Sequence, residues 1–252
     1  MDTSEYHNIA RLEPTHWWYA GMRAIARSVV ARLPLPEGAL ILDAGCGAGG
    51  GLRWLAEFGA PVGVDWHPLA AQYAARVSAR VARASVQALP FADRTFAAVT
   101  SFEVLYHMSV ADDVAALREF ARVLTPGGWL VVRLPAHDWL RGAHDRLTHT
   151  RHRYAAGELR AKLGAAGLRV ARLTPVGALL LPPAILRRVL QPQAAAHTDV
   201  VLPPANVNRW LTAALSAEGR WRAWADLPFG LSLLAVAQKP AGAGRGMTEA
   251  ER

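Results

Sequence analysis

The sequence predicts an α/β protein built on a doubly wound, mainly parallel sheet with helices on both faces. Apolar runs of strand length alternate with segments of helical spacing five times before residue 136. A glycine-rich turn follows the first apolar run directly and opens the first crossover helix. Two further strand-like runs close the pattern, with an insertion between them. These three observations indicate one large α/β domain.

The elements are predicted in a regular order along the chain. Residues 1–33 have helical spacing in two pieces around the aromatic run at 16–19, and the prolines and glycine of 34–38 end this region. The first strand ends at Asp43, and the other strands are predicted at 61–65, 81–86, 96–102, 129–134, 168–173 and 231–238. Helices are predicted at 52–58, at 68–79 behind Pro68, from Asp112 to the Pro-Gly-Gly at 126–128, and at 158–166.

The glycine turn after the first strand fits two cofactor patterns. Gly45, Gly47 and Gly50 match the dinucleotide pattern G-x-G-x-x-G, with Asp65 about twenty residues further on. Asp43 followed by Gly45, Gly47 and Gly49 equally matches the D-x-G-x-G-x-G pattern of enzymes that bind S-adenosylmethionine (SAM). A carboxylate at this place would repel a pyrophosphate, but it suits the ammonium and sulfonium cations of SAM. The turn therefore favours SAM, and an acid at the end of the second strand suits ribose hydroxyls.

Composition limits the class of protein. Of the 252 residues 52% are hydrophobic, which is enough for one large domain, and the single Cys46 excludes an internal disulfide. The polar N-terminus is unlike a secretory signal, and the most apolar later run, 176–186, is too short to span a bilayer, so we expect a cytoplasmic protein. The net charge of +8 would permit nucleic acid, an anionic membrane surface or acidic substrates as partners.

Four blocks of sequence resemble class I SAM-dependent methyltransferases. They are LDAGCGAGG at 42–50, VGVD at 62–65, ALPFADRTFAAVTS at 88–101 and ARVLTPGGWLVV at 121–132, in family order and at family spacing. The flanks, with HWWY at 16–19, RHRY at 151–154 and LPFGLS at 227–232, resemble a narrower bacterial branch of small-molecule methyltransferases of types 11 and 12. The resemblance implies a Rossmann-like sheet of seven strands whose last strand is antiparallel, with SAM as the cofactor.

The resemblance also implies roles for residues at the predicted cofactor site. Asp43 and the turn residues would hold the methionine part of SAM, and Asp65 would bind the ribose hydroxyls beside Trp66. The family often places an aspartate near the adenine amino group, whereas this sequence has Ser85, Val86 and Gln87 there. The cofactor residues predicted in this way are Asp43, Gly45, Cys46, Gly47, Gly49, Asp65, Trp66, Ser85, Val86, Gln87 and Phe102.

The acceptor side is predicted from residue chemistry. A hydroxyl acceptor must lose a proton, and histidine is suited to accept it near neutral pH. The candidates are His107, His144, His149 and His152, with His137 in the same region. Substrate contacts are expected from the aromatic and cationic residues Trp17, Trp18, Tyr19, Arg151, Arg153 and Tyr154, although a solvated basic loop would explain the arginines equally well. No metal is predicted, because His149 and His152 would need a third ligand such as Asp145.

The predicted function is SAM-dependent methyl transfer to a small, largely apolar acceptor, optionally anionic, with oxygen or nitrogen favoured as the methylated atom. A SAM-binding protein that transfers no methyl group is the alternative. A nucleic-acid methyltransferase is less favoured, because the D/N-P-P-Y motif is absent from 101–104. We expect a monomer or homodimer with no membrane span. The run at 176–190, which ends near Arg187 and Arg188, suits either a pocket wall, which we favour, or a lipid surface.

The domain organisation follows from these assignments. Residues 1–37 are predicted to form an N-terminal helical lid, and residues 38–240 the SAM-binding domain. Two lid insertions are expected within that domain, at about 136–154 and 175–226. Residues 241–252 are predicted to be a flexible tail.

Overall fold

The sheet has seven strands and is mixed. The computed structural model describes residues 3–142, 145–146, 148–190, 201–221 and 226–241. The strands are β1 (Leu40–Ala44), β2 (Ala60–Asp65), β3 (Val81–Arg83), β4 (Phe96–Phe102), β5 (Leu124–Pro135), β6 (Arg169–Val176) and β7 (Ser232–Gln238). Their order is β3-β2-β1-β4-β5-β7-β6, and β7 is antiparallel to both neighbours. The predicted doubly wound sheet with an antiparallel last strand is therefore confirmed.

Eight helices are described, two of them before the first strand. They are α1 (Thr3–Leu12), α2 (Trp17–Val30), α3 (Gly50–Leu55), α4 (Pro68–Ala75), α5 (Asp113–Val123), α6 (Ala156–Ala165), α7 (Leu181–Leu190) and α8 (Ala205–Trp221). Two short 3₁₀ turns, Asp138–Leu140 and Ala178–Leu180, lie in the segments predicted as insertions. No helix in the described ranges is long and apolar enough to cross a membrane.

Each face of the sheet packs against its own set of helices. Alternate strand residues point to opposite faces, so Leu42 packs with α5 and α6, whereas Ile41 packs with α2, α3 and α8. The helix pair α2 and α8 approaches closely at two glycines. A Cβ on Gly21 would lie 2.4 Å from Leu215 Cβ, and Gly219 packs against the backbone of Ile25. The insertion between β6 and β7 is therefore held directly against the N-terminal helices.

Three strand boundaries differ from the predicted ones by three residues or more. The sixth strand ends at Val176 rather than at residue 173. The third strand ends at Arg83 rather than at residue 86, because the chain turns at Ser85, whose backbone forms an isolated bridge with Ala88. The fifth strand begins at Leu124 rather than at residue 129, because Leu124 pairs with Phe96 and the register then shifts over the proline and glycines before pairing resumes at Trp129. Most of the predicted tail, 242–252, lies outside the described residues.

Candidate functional site

A single continuous cavity of about 1250 Å³ opens at the carboxyl ends of β1, β2, β4 and β5. One part, the glycine end, is lined by the turn at 45–48, by 65–67 and by 85–87. The other part, the aromatic end, is lined by 16–19, by 102–107, and by residues of the loop at 135–153, of α7 and of α8. Ligand sites of open α/β sheets lie at this edge, where neighbouring crossovers leave a crevice. The two ends together can hold a nucleoside and a second molecule side by side.

The glycine turn is held in place by hydrogen bonds to β2. The backbone N–H groups of Gly45 and Cys46 both donate to Val64 O, at 2.8 and 2.9 Å. Gly45 and Gly47 have φ values of +88° and +54°, a region that L side chains rarely adopt. A Cβ on Gly45 would lie 2.2 Å from Val104 Cγ2, whereas a Cβ on Gly47 would meet nothing within 4 Å. The backbone at Gly47 is therefore open to close approach from the cavity.

Asp65 lies at the tip of β2 and faces the glycine turn. Its two carboxylate oxygens accept hydrogen bonds from Gly47 N at 3.0 Å and from His67 N at 2.9 Å. Burial raises the pKa of this carboxyl above its ordinary value, and the two backbone donors oppose that rise. The neighbouring Trp66 is exposed, and the guanidinium of Arg83 lies 5.5 Å from the centroid of its ring. A carboxylate and an aromatic face are thus presented together beside the turn.

Asp43 lies behind the turn and does not line the cavity. Its carboxylate accepts a hydrogen bond from Thr100 Oγ1 at 2.9 Å, and burial raises its pKa to about 7. The carboxylate occupies the space where Gly51 lacks a side chain, since a Cβ there would lie 2.1 Å from Asp43 Oδ2. Gly51 is a residue that the pattern analysis missed. Its signal was present in the run of three glycines at 49–51.

Residues at 85–87, which the resemblance assigns to the cofactor, line the glycine end. The Ser85 hydroxyl accepts from Gln87 N at 3.2 Å, and the Gln87 side-chain oxygen accepts from Asp112 N at 2.8 Å. Of the predicted cofactor residues, those that line the cavity are Gly45, Cys46, Gly47, Asp65, Trp66, Ser85, Val86, Gln87 and Phe102. Gly49 does not line it, but forms the N-cap of α3 with a φ of +91°.

Helix α1 and the turn after it cover the glycine end, which the sequence analysis did not anticipate in detail. The Tyr6 ring stacks on His67 with 3.8 Å between centroids, and burial raises the pKa of Tyr6 to about 12. The Glu13 carboxylate lies against Gly50 at the start of α3, and burial raises its pKa. Together with Asp43 and Asp65, Glu13 makes this end rich in carboxylates. Such an environment suits a cationic ligand.

Aromatic side chains from the start of α2 line the other end. Trp17, Trp18 and Tyr19 all face the cavity, as predicted. His16 caps α2: its Nδ1 accepts from Trp18 N at 3.3 Å, and its Nε2 lies 3.2 Å from the carbonyl oxygen of Val201. Burial lowers the pKa of His16, so the neutral ring donates its Nε2 proton to that carbonyl. This hydrogen bond ties the aromatic run to the segment before α8.

Two ion pairs also border the aromatic end. Arg133 in β5 donates to Glu103 at 2.9 Å and lies 5.3 Å from the centroid of the Phe102 ring. Glu103 adopts a φ of +58°, uncommon for a residue with a side chain, and this turns the chain sharply after β4. Arg153 donates to Asp145 at 2.8 Å, and this aspartate is almost fully buried. Arg153 was predicted as a substrate residue, whereas no role was predicted for Arg133.

Of the candidate histidines that the structure describes, His107 alone lines the cavity. Its Nδ1 accepts from Ser109 N at 3.1 Å, and burial lowers its pKa to about 4. The His149 ring stacks on His107, with 5.7 Å between centroids, but does not line the cavity. His152 is paired with Glu158 at 2.8 Å outside the cavity. His144 lies outside the described residues. In the described part of the chain, no group of three or more metal-ligating side chains is placed to hold an ion.

Arg151 and Tyr154 point away from the cavity into one buried network. The Tyr154 hydroxyl donates to Asp113 at 2.7 Å, and Arg151 and Lys162 reach the same carboxylate oxygen at 3.2 and 2.7 Å. These bonds lower the pKa of Asp113, although burial acts in the opposite direction. The network ties the end of the loop to α5 and α6. Arg151 and Tyr154 were predicted as substrate residues, but neither lines the cavity.

Comparison with known proteins agrees with this geometry. Residues 42–132, which run from β1 to β5 through the glycine turn and Asp65, match a family described as a methyltransferase domain. Residues 42–132 are therefore a methyltransferase domain, within a chain that has the class I methyltransferase fold.

The relatives of this chain have diverse names. The chain is 38% identical over 42% of its length to a 2-methyl-6-phytyl-1,4-hydroquinone methyltransferase of Synechocystis, covering 33% of that protein. It is 30% identical over 56% of its length to a trans-aconitate 2-methyltransferase of Azoarcus, and the match covers 54% of that protein. A relative from Mus musculus, named as a probable tRNA methyltransferase 9B, is 33% identical over 38% of this chain. The matched region is 21% of the length of that relative. The chain thus spans at most about half the length of these relatives.

Likeness to solved structures extends over nearly the whole chain. The chain aligns with one chain of a complex between the Haloferax volcanii Trm112 methyltransferase activator and a methyltransferase, at a TM-score of 0.63 and 25% identity. That alignment covers 96% of each chain. It therefore includes the N-terminal helices and the segments around the cavity, and not only the block at 42–132.

Proposed function

We propose that the chain binds SAM at the glycine end of the cavity and transfers its methyl group to a small, largely apolar acceptor at the aromatic end. The observation that carries this proposal is the continuity of the cavity between the two ends. A methyl transfer needs the acceptor atom in line with the bond that breaks, and one cavity that holds both molecules provides that alignment.

The glycine end fits SAM in charge and shape. Gly47 offers backbone with no side chain above it, and Asp65 presents its carboxylate at the tip of β2. We assign Asp65 to the ribose hydroxyls, Trp66 to the adenine, and the turn at 45–48 to the methionine part. Bound SAM supplies an electrophilic methyl group on a sulfonium, and the carboxylates of Glu13, Asp43 and Asp65 favour that cation.

The aromatic end fits an acceptor with substantial apolar surface. Trp18, Tyr19 and Phe102 supply rings, and the ion pairs of Arg133 and Arg153 supply the few polar groups that fix orientation in such pockets. The named relatives act on a phytyl hydroquinone and on trans-aconitate, which supports acceptors that combine a carbon skeleton with oxygen groups. We favour oxygen as the methylated atom, with nitrogen as the second choice.

His107 is the histidine best placed to contact this acceptor. Its Nδ1 accepts the Ser109 N–H, so in the neutral ring the proton lies on Nε2. A ring of this tautomer donates a hydrogen bond, and its lowered pKa makes it a weak base. We assign His107 to orienting the acceptor oxygen. His107→Gln, which keeps a donor, should retain more kcat/KM than His107→Ala.

Turnover of SAM with defined acceptors tests the proposal. We expect S-adenosylhomocysteine (SAH) to form with at least one compound from a panel of hydroquinones, phenols, fatty acids and dicarboxylates, and not with bulk tRNA. SAM binding by calorimetry without turnover on any acceptor would favour the alternative of a SAM-binding protein without methyl transfer. Robust methylation of tRNA would contradict the small-molecule acceptor.

A matched pair of lid variants tests recognition by the basic loop. Arg153 borders the cavity, whereas Arg151 is directed at Asp113. If Arg153 contacts an acceptor anion, Arg153→Met should lower kcat/KM by about 30-fold or more, since loss of a buried charge partner costs about 2–5 kcal/mol. Arg151→Met should leave kcat/KM within about threefold. It should lower the stability of the fold, because the ion pair between the partly exposed Arg151 and the buried Asp113 is lost. Equal losses of kcat/KM would instead place both arginines in recognition.

A further inference from the structure

Four segments around the aromatic end share an arrangement of apolar residues. Each sends at least one apolar side chain into the cavity and leaves at least one near neighbour in sequence exposed. The cavity-lining members are Leu140, Leu180, Pro183, Ala184 and Leu211. The exposed members, which we call the apolar rim, are Trp139, Leu179, Leu186, Val207 and Trp210. Their exposed fractions run from 41% for Val207 to 70% for Trp210, so none is part of a core.

The rim residues belong to one region of the surface. The 3₁₀ turn with Leu179 contacts both α7 and α8, and α7 also contacts the 3₁₀ turn with Trp139. Because each of these segments also lines the aromatic end, the exposed side chains lie around that end of the cavity. Exposed apolar side chains grouped in one region of the surface are typical of an interaction site. Its position next to the cavity links it to the path by which an acceptor enters.

The charge of α7 and α8 indicates what this surface meets. Their sequences contain Arg187, Arg188, Arg209 and Arg220. Glu218 is the single carboxylate in the two helix sequences, and it is buried, accepting hydrogen bonds from Gly177 N and Ala178 N at 2.8 and 3.0 Å. The helices that carry the rim therefore combine exposed apolar side chains with positive charge. Tryptophan and arginine together are typical of surfaces that bind anionic bilayers.

We propose that the apolar rim docks on an anionic lipid bilayer, so that the aromatic end of the cavity opens toward the lipid. The acceptor would then be an amphiphile taken from the bilayer, with its polar group reaching the methyl donor. This inference rests on the proposed function for the nature of the acceptor, but the docking itself does not need turnover. It also requires no membrane-spanning helix, since the rim lies at the interface.

Vesicle binding tests the docking directly. The full chain, without cofactor, is sedimented with vesicles of phosphatidylglycerol and phosphatidylcholine in equal parts, and with vesicles of phosphatidylcholine alone. We expect stronger binding to the mixed vesicles, weakened by salt because the charge contribution is screened. Leu186→Ser combined with Trp210→Ser should weaken binding to the mixed vesicles by about tenfold or more. Equal binding to both kinds of vesicle, or none to either, would overturn the proposal.

Trp221→Ser is the matched control for the rim variant. Trp221 is 60% exposed on the same helix, about 16 Å along the axis from Trp210 at 1.5 Å per residue. Its replacement should leave vesicle binding within about twofold. A loss as large as that of the rim variant would refute the assignment to the rim.

Oligomeric state distinguishes a lipid from a second copy of the chain as the occupant. Light scattering should give the same mass for the wild type and the rim variant. A dimer in the wild type that the rim variant abolishes would show a protein interface and overturn the lipid proposal. If the chain transfers methyl to a water-soluble acceptor but fails to bind vesicles, the lipid-docking inference is wrong and the proposed function stands. If the chain binds vesicles but does not bind SAM, the docking inference stands and the proposed function is wrong.

Discussion

Replacing Asp65 by asparagine should weaken the binding of SAH strongly while preserving the fold. SAH lacks the sulfonium charge of SAM, so its affinity reports on the ribose contact rather than on attraction between a carboxylate and a cation. In the structure one oxygen of Asp65 accepts from Gly47 N and the other from His67 N. Each carboxylate oxygen has two lone pairs, so one site on each oxygen is left for a ribose hydroxyl.

The magnitude follows from the number of bonds changed. Asparagine keeps one oxygen and places an NH₂ group where the other oxygen faced a backbone N–H donor. One ribose bond is therefore lost and the other loses its charge assistance. Hydrogen bonds to charged groups contribute about 1.5–3 kcal/mol each, so the total loss is about 2–4 kcal/mol. The dissociation constant for SAH should rise by about 30-fold to about 1000-fold.

Titration calorimetry of both proteins with SAH near neutral pH measures this change. Asp93→Asn is the control, because its side chain is 70% exposed in an ion pair with Arg122 and it does not line the cavity. The control should bind SAH as the wild type does, and urea unfolding should show that both variants are folded. A dissociation constant for Asp65→Asn within about twofold of the wild type would refute the assignment of this carboxylate to the ribose.

Three further predictions concern stability. Burial raises the pKa of Asp43 from 3.8 to about 7. Between these pH values the folded ligand-free protein holds a proton that the unfolded chain releases, so the free energy of unfolding should fall as the pH rises. Urea unfolding of Asp43→Asn should lack this part of the pH dependence. Gly45→Ala should destabilise by about 1–3 kcal/mol in urea unfolding, through its positive φ and overlap with Val104, and adding Val104→Ala should restore only part of the loss. Tyr154→Phe removes the hydrogen bond to Asp113 and should cost about 1–3 kcal/mol in the same assay, with calorimetric SAH affinity unchanged.

The parts of the site that depend on the residues next to them in the chain could be predicted from sequence patterns. The turn at 45–49 needs glycine because its backbone adopts positive φ, and Asp65 lies at a strand tip that the apolar run before it marks. Such requirements act within a few residues, and they leave a readable signature. The carboxyl ends of β1 and β2 could accordingly be placed together from the order of strands and helices alone.

Contacts made across the fold could not be read in this way. Tyr6 and Glu13 reach the glycine end only because α1 packs near α4, and nothing in their local sequence indicates that packing. Arg151 and Arg153 are two residues apart in an extended segment, yet they pair with different aspartates, and only Arg153 lines the cavity. Arg133 had a readable signal, as a lone charge within the apolar run of β5. A buried charge of this kind requires a partner, which here is Glu103.

The position of β7 has a consequence for how the protein is made. Strand β7 is among the last described residues to leave the ribosome, yet it lies between β5 and β6 in the sheet. Until it emerges, β5 presents an unpaired edge, and in the described sheet β6 has no strand partner other than β7. Both edges are then open to pairing with another chain. Folding of the sheet is therefore completed only after synthesis has passed residue 238, and pauses before that point should promote aggregation.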